Sequence, residues 1–277
     1  MVASVLVLLL TLTALAPFLT LAILNRLVPW RPWRVATERA LAGIATTWAR
    51  LGRQLFGFTH RLQWHIDPLP IIKPKQSVLL LCNHQSWVDV PVLMHVFAGH
   101  VPFFRFLIKR SLLWLPLLGW VFKALHFPAL SRNGSRRSAN EPTDLERIRT
   151  SCEHYKRVPV TLAIFPEGTR FKAEKQRKQN SPYQHLLKPR SGGTTMAMIA
   201  MREQLAGILD VTIDYQGHIP SFLDLLGGNM PPVRVHIDWL VCPDATPDES
   251  EYQSVVAPWL NARWAHKDQL LHHSHNH

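Results

Sequence analysis

This chain of 277 residues is poor in cysteine and in negative charge. Its three cysteines, Cys82, Cys152 and Cys242, stand far apart with no C-x-x-C pair. That excludes a disulfide scaffold and a zinc ribbon, and it fits a reducing compartment. Nineteen Asp and Glu face 31 Lys and Arg, a formal charge of +12, so electrostatics favour an anionic partner: acidic lipid, a phosphorylated substrate or nucleic acid. No helix-turn-helix signature, zinc-finger pattern or aromatic-basic RNA motif is present, and nucleic acid is set aside on that ground. Neither a G-x-S-x-G elbow nor an H-E-x-x-H pair occurs, so a serine hydrolase and a metal hydrolase both lack their motifs, and no metal is expected. There is no internal repeat. Hydrophobic residues make up 47% and charged ones 18% of the chain, too apolar for disorder and too polar for a polytopic membrane protein.

Long apolar runs are equally scarce: there is one, at the start. Residues 2–24 carry no charge, a length that as a helix crosses the roughly 30 Å hydrocarbon core of a bilayer. The run has no basic segment before it, and Pro29-Trp30-Arg31-Pro32-Trp33 follows in place of a small-residue cleavage site. It therefore reads as an uncleaved anchor, not a secretory signal. Arg26, Arg31, Arg34 and Arg39 crowd its distal side, which places the rest of the chain in the cytoplasm and, in a bacterium, assigns the anchor to the inner membrane.

Four segments follow from the pattern: an anchor at 1–25, a juxtamembrane amphipathic helix at 26–58, a catalytic domain at 59–265 and a His-rich solvated tail at 266–277. Leu41, Ile44, Trp48, Leu51 and Leu55 recur at spacings of three and four, which predicts a helix over 34–56. Beyond it, strands are expected at 61–66, 77–81, 103–108, 160–165, 209–215 and 233–241. Helices are expected near 86–97, 113–125, 143–157, 191–204 and 251–264. Strand and helix in turn predict an α/β fold, a mixed sheet flanked by helices. The Lys-, Arg- and Gln-rich stretch 170–189 reads as a mobile basic loop.

Two strand exits carry chemistry. Leu79-Leu80-Leu81-Cys82 runs into Asn83-His84-Gln85-Ser86-Trp87-Val88-Asp89, a polar turn where α/β sheets build their sites. His84 and Asp89 suit a base and its carboxylate partner: the imidazole takes a proton, and the carboxylate fixes its tautomer and stabilises the imidazolium. Ser86-x-x-Asp89 also fits a helix capping box, which would leave Asp89 a structural role. The second exit follows Thr161 to Phe165 as Pro166-Glu167-Gly168-Thr169-Arg170. Such a turn can present Arg170 bidentately to a phosphate, with Glu167 orienting the guanidinium or accepting from a hydroxyl.

The two blocks, in this order and about eighty residues apart behind an anchor, resemble the glycerolipid acyltransferase family, and within it the lysophospholipid acyltransferases that convert lysophosphatidic acid to phosphatidic acid. The likeness spans residues 63–215. It implies that His84 is the general base, that Asp89 is its partner, and that Glu167 and Arg170 hold the phosphorylated acceptor on a turn shaped by Gly168 and Thr169. Lys109 and Pro116-Leu117-Leu118-Gly119 are similar to the family's intermediate motif, whose basic residue faces the acceptor phosphate; Ser131-Arg132 resembles the basic exit of the next strand. Two departures stand out. Ser111 replaces the Glu that many relatives carry two residues after the intermediate Lys, and residues 208–215 resemble the lysocardiolipin acyltransferase subgroup. The resemblance implies a lysophospholipid acceptor, an acyl-coenzyme A or acyl carrier protein donor, membrane lipids as surroundings, and no cofactor. Direct transfer suits a thioester, because the thiolate leaves without acid help. The competing classes are an acyltransferase for another lysophospholipid and a nonenzymatic basic protein of the membrane surface.

Overall fold

In the computed structural model, residues 2–28, 30–59, 62–73, 76–131, 142–156, 158–244 and 249–275 are described. Two long helices come first, α1 (Val2–Leu27) and α2 (Arg31–Thr59). Strands β1 (Trp64–Ile66) and β2 (Ser77–Cys82) lead to α3 (Asp89–Phe97). Then come β3 (Phe104–Phe106), β4 (Ile108–Lys109), a 3-10 turn over Arg110–Trp114, α4 (Leu118–Ala124) and β5 (Ala129–Leu130). The chain continues through α5 (Asp144–Tyr155), β6 (Thr161–Ile164), α6 (Ala173–Lys178) and α7 (Ser191–Met201). It closes with β7 (Leu205–Tyr215), α8 (Phe222–Gly227), β8 (Val233–Leu240) and α9 (Glu249–His275).

The expected mixed α/β sheet is present: six strands in the order β1-β8-β7-β2-β6-β3, every neighbouring pair parallel except β7 with β8. Central β2 is buried at all its positions, which is why it reads as an unbroken apolar run and not as an alternation. Leu79 and Leu81 join one apolar cluster with α5, α7 and α9; Val78, Leu80 and Cys82 join the other with α3. The register then sets the site. Leu81 lies opposite Ile164 in the parallel β2–β6 pair, so three residues beyond that pair His84 comes level with Glu167.

Several expected elements differ from those observed. The strand expected at 103–108 divides in two, because Leu107 N–H still bonds Ala163 O while Ile108 N–H turns to Pro128 O. The helix expected at 113–125 is interrupted at Pro116, which has no N–H to give. Restarting at α4 requires Gly119: a Cβ there would stand 2.2 Å from the Leu113 carbonyl oxygen. The stretch 170–189 is not a featureless basic loop, since it contains α6 and buries Tyr183, Leu186 and Leu187. Nor do residues 266–275 form a solvated tail; 276 and 277 lie outside the described residues. The stripe Val256, Leu260, Trp264 and Leu271 is buried along one continuous α9, and Lys267, only 1% exposed, reaches Asp210 Oδ1 at 2.7 Å.

α1 is long and apolar enough to cross a membrane over Leu6–Asn25. It is not a free rod. α2 doubles back along it, with the Thr37 hydroxyl donating to Asn25 Oδ1 (2.8 Å) and the Trp48 indole N–H donating to Thr11 Oγ1 (3.2 Å). Phe18 of α1 is buried with Leu41 of α2 and Leu125 beyond α4, whereas Leu8, Leu9 and Leu12 are each more than half exposed.

Candidate active site

His84 sits on the exit of β2 with its ring stacked on Phe165 at the exit of β6, centroids 4.1 Å apart. Its Nδ1 lies 2.8 Å from Asp89 Oδ2. A carboxylate at Nδ1 holds the proton on that nitrogen and leaves Nε2 with the lone pair, the state a general base requires. The backbone of His84 is fixed independently: its N–H donates to Glu167 Oε1 (3.0 Å), and its carbonyl accepts from Phe171 N–H (2.7 Å). One residue earlier, Asn83 extends the sheet with its side chain. Its amide donates to Ile213 O at 2.9 Å and accepts from Ile213 N–H at 2.8 Å, so the turn is pinned to β7 as well.

Asp89 is fully buried and meets four donors. Oδ2 accepts from Gln85 N–H (2.7 Å), Ser86 N–H (2.9 Å) and the imidazole, and Oδ1 accepts from the Tyr215 hydroxyl at 2.8 Å. The capping box suggested by Ser86-x-x-Asp89 does not form. Val88 occupies the cap of α3 without a side-chain bond, and Ser86 Oγ accepts from Val88 N–H while donating to Pro220 O. The Asp89 carboxylate folds back onto the 84–86 turn, so one group orders the turn and orients the ring. Tyr215, at the end of β7, is not among the site residues read from the sequence; in a strand that already carries Asp210, Thr212 and Asp214, nothing marks its hydroxyl out. Burial and the neighbouring Asp89 charge raise its phenol well above the usual range, so it remains a donor.

Glu167 departs from its expected role. Its carboxylate is fully buried and accepts from His84 N–H through Oε1 and from Leu187 N–H through Oε2 (3.1 Å); it fastens two chain segments and does not orient Arg170. Burial pushes its carboxyl up to about 8, against the opposing pull of the two amides. Gly168 takes φ +67°, in the left-handed region where glycine avoids a Cβ penalty. This reverses the chain so that Arg170 comes to lie over the Trp87 ring, 4.7 Å from its centroid. The exposed Trp87 thus bridges the two blocks, cradling the guanidinium immediately after the 84–86 turn. Thr169 accepts from Lys175. Lys109 ends β4, exposed. Arg132 lies outside the described residues. Cys82 is buried and its thiol is raised well above the ordinary range by desolvation, which leaves no thiolate for nucleophilic work.

Among the described residues, Glu38, His126 and His154 form a group of metal-ligating type. Glu38 Oε1 is 3.3 Å from His154 Nδ1 and 3.5 Å from His126 Nε2. The two imidazoles are stacked, centroids 3.5 Å apart and planes within 9°, so their in-plane lone pairs do not converge on one ion. Burial raises the Glu38 carboxyl, but the hydrogen bonds and charges of the two histidines outweigh it and hold it well below the usual carboxylate range. The group joins α2 to the turn after α4 and to α5, and burial lowers the His126 imidazole from its ordinary value.

The strand-exit histidine with its carboxylate, and the arginine-bearing turn on the neighbouring strand, fall within one recognised sequence pattern. The chain belongs to the Acyltransferase family, whose pattern matches residues 65–216. It is 30% identical to the mouse 1-acyl-sn-glycerol-3-phosphate acyltransferase epsilon over 226 residues, covering 72% of this chain and 58% of that one. It is 26% identical to chicken lysocardiolipin acyltransferase 1 over 271 residues, covering 93% of this chain and 67% of that one. The chain thus spans somewhat over half to two thirds of these relatives' length. The solved 1-acyl-sn-glycerophosphate acyltransferase of Thermotoga maritima aligns over 94% of this chain and 97% of that chain at 15% identity, with a TM-score of 0.47.

Proposed function

We propose that this chain transfers a fatty acyl group from an acyl thioester, carried on coenzyme A or acyl carrier protein, to the free hydroxyl of a lysophospholipid, with lysophosphatidic acid as the acceptor and phosphatidic acid as the product. The observation that carries this reading is the 2.8 Å contact between His84 Nδ1 and Asp89 Oδ2 beside the turn that lays Arg170 over Trp87. His84 Nε2 takes the proton of the acceptor hydroxyl as its oxygen attacks the thioester carbon, and Asp89 stabilises the imidazolium. The tetrahedral intermediate collapses with loss of the thiolate, which needs no acid. Arg170, with Lys109, binds the acceptor phosphate, and holding both substrates supplies much of the rate advantage. The names of the curated relatives support this acceptor class.

The apolar outer face of α1 supports anchoring in the membrane, with the catalytic domain on the cytoplasmic side and, in a bacterium, at the inner membrane. The deciding experiment is thiol release from oleoyl-coenzyme A by the purified full chain in mixed micelles, with lysophosphatidic acid, with monolysocardiolipin and with no acceptor. Acceptor-dependent release, fastest with lysophosphatidic acid, is expected. Faster release with monolysocardiolipin would reassign the acceptor, and no acceptor-dependent release would remove the activity. For orientation, the C-terminus should resist protease in sealed right-side-out vesicles; digestion without lysis would reverse it.

A further inference from the structure

The Glu-Gly-Thr-Arg turn does not stand alone. The short helix α6 follows it and sends Lys175 back: Nζ donates to Thr169 Oγ1 and, at 3.0 Å, to the carbonyl oxygen of Arg170. One ammonium therefore ties together the two residues that aim the guanidinium. It is also surrounded by its own sign. Desolvation, then the charges of Lys172, Arg170 and Lys109, lower the Lys175 pKa from its ordinary value. Among the described residues no carboxylate forms an ion pair with Lys109, Arg170, Lys172 or Lys175. The nearby Glu174 is taken by Lys178 at 2.7 Å, and Glu167 is buried on two amides. The charges of Lys172, Arg170 and Lys109 act on the Lys175 ammonium with only the weaker pull of buried Glu167 against them, and a doubly charged ligand relieves that repulsion more than a singly charged one.

We propose that Lys175 is a positioning residue for the acceptor, holding the Thr169–Arg170 turn and completing a cationic cluster with Lys109, Arg170 and Lys172 that favours a phosphomonoester headgroup over a phosphodiester. This rests on the acyl-transfer reading for its kinetic consequences, but its binding consequence stands apart from that reading. A third donor of the ammonium remains for the phosphate after two are spent on the turn. Replacement by arginine keeps the charge and adds donors, so Lys175→Arg should retain most of the effect, whereas Lys175→Met keeps the apolar stem and removes the charge.

The test uses the full chain in mixed micelles. KM and kcat are measured for lysophosphatidic acid, for lysophosphatidylglycerol as the phosphodiester comparison and for oleoyl-coenzyme A, and direct binding of lysophosphatidic acid is titrated alongside. Lys175→Met should raise the KM and the Kd for lysophosphatidic acid about tenfold, with a smaller rise for the phosphodiester. It should leave kcat within about twofold and the donor KM unchanged. In the wild type, kcat/KM for lysophosphatidic acid should fall on the alkaline side below the ordinary lysine range, and Lys175→Arg should abolish that limb. An unchanged KM and Kd in Lys175→Met overturns the proposal. So does a parallel loss in kcat and in both KM values with a lowered Tm, which is the signature of a merely structural lysine. A wild type that transfers no acyl group yet binds lysophosphatidic acid in a Lys175-dependent way removes the activity and keeps this assignment; loss of that dependence as well removes both.

Discussion

The histidine side and the arginine side of the site are built in opposite ways. On the histidine side, Asp89 meets four donors, and Glu167, reaching across from the β6 exit, meets two, both without solvent exposure. On the arginine side, Arg170 leans on an exposed indole, Lys109 is exposed, and no carboxylate pairs with either among the described residues. A buried carboxylate is tolerated only when its lone pairs are occupied, so the first arrangement is rigid and complete before substrate arrives. The second gains its counter-charge only with a ligand. Proton transfer demands fixed geometry, whereas a phosphate on a mobile lipid is captured by charge, and the molecule spends its buried hydrogen bonds on the former.

His84→Ala should produce the largest loss, a fall in kcat of about 10²- to 10⁴-fold, with little loss of Tm. The turn keeps the bonds of the His84, Gln85 and Ser86 backbone and of the Asn83 side chain without the ring, although Asp89 loses one of its four donors. Circular-dichroism melting beside turnover checks it; near-native turnover would remove the base from His84. Asp89→Asn comes next, and here activity and stability should fall together. An amide presents its own N–H groups to amide donors and can occupy at most one oxygen position, leaving buried donors unmatched at about 1–3 kcal/mol each. A stable but inactive Asp89→Asn would mean that the turn is held mainly by Asn83 and Glu167.

Much of this division was legible in the sequence, and the reasons are specific. Central buried strands such as β2 and β6 read as apolar runs, and their polar exits stood out because nothing in a sheet core calls for His, Asp, Glu and Arg there. Register cannot be read from one strand alone, so the level placement of His84 with Glu167 was hidden, and with it the structural duty of Glu167. Glu167 beside Arg170 in sequence suggested a pair; the left-handed Gly168 between them sends the two side chains apart. Residues 170–189 read as a basic loop for a related reason. Their charged surface residues mask Tyr183 and Leu186, which become core only once α9 is in place to cover them. The same holds for Lys267, whose partner Asp210 is more than fifty positions away on β7.

Glu167→Gln sharpens the comparison through pH. The carboxyl ionises near its usual 4.5 in the unfolded chain and at about 8 in the folded one. Below about 4.5 both states hold the proton. Between these values the folded state keeps a proton the unfolded state has released, so stability falls as pH rises through the window and levels off above it. The glutamine has no proton to release, and its Tm should decline less between pH 5 and 8, although one of the two amide bonds is lost and its Tm near pH 5 is lower. Parallel Tm curves for the two proteins would mean that Glu167 is already ionised across the range and that its two amides outweigh its burial. Turnover at a fixed pH should change by less than in Asp89→Asn, since Glu167 touches only the backbone of His84.

Tyr215→Phe should give the smallest effect and the finest discrimination. The hydroxyl donates to Asp89 Oδ1, the oxygen that does not face the imidazole, from the end of β7. Its removal leaves the His84–Asp89 contact and both turn amides in place on Oδ2. What is lost is one charge-assisted bond inside a buried site, about 1–3 kcal/mol of stability. The consequence for chemistry is indirect: with Oδ1 undonated, the orientation of the carboxylate is less constrained, which should lower kcat by about tenfold or less while both KM values hold. Turnover and Tm measured on the same preparation decide it. A kcat loss as large as that of Asp89→Asn would place the Tyr215 hydroxyl in the proton path itself, and the rigid side of the site would then extend from β2 to β7 as one catalytic unit.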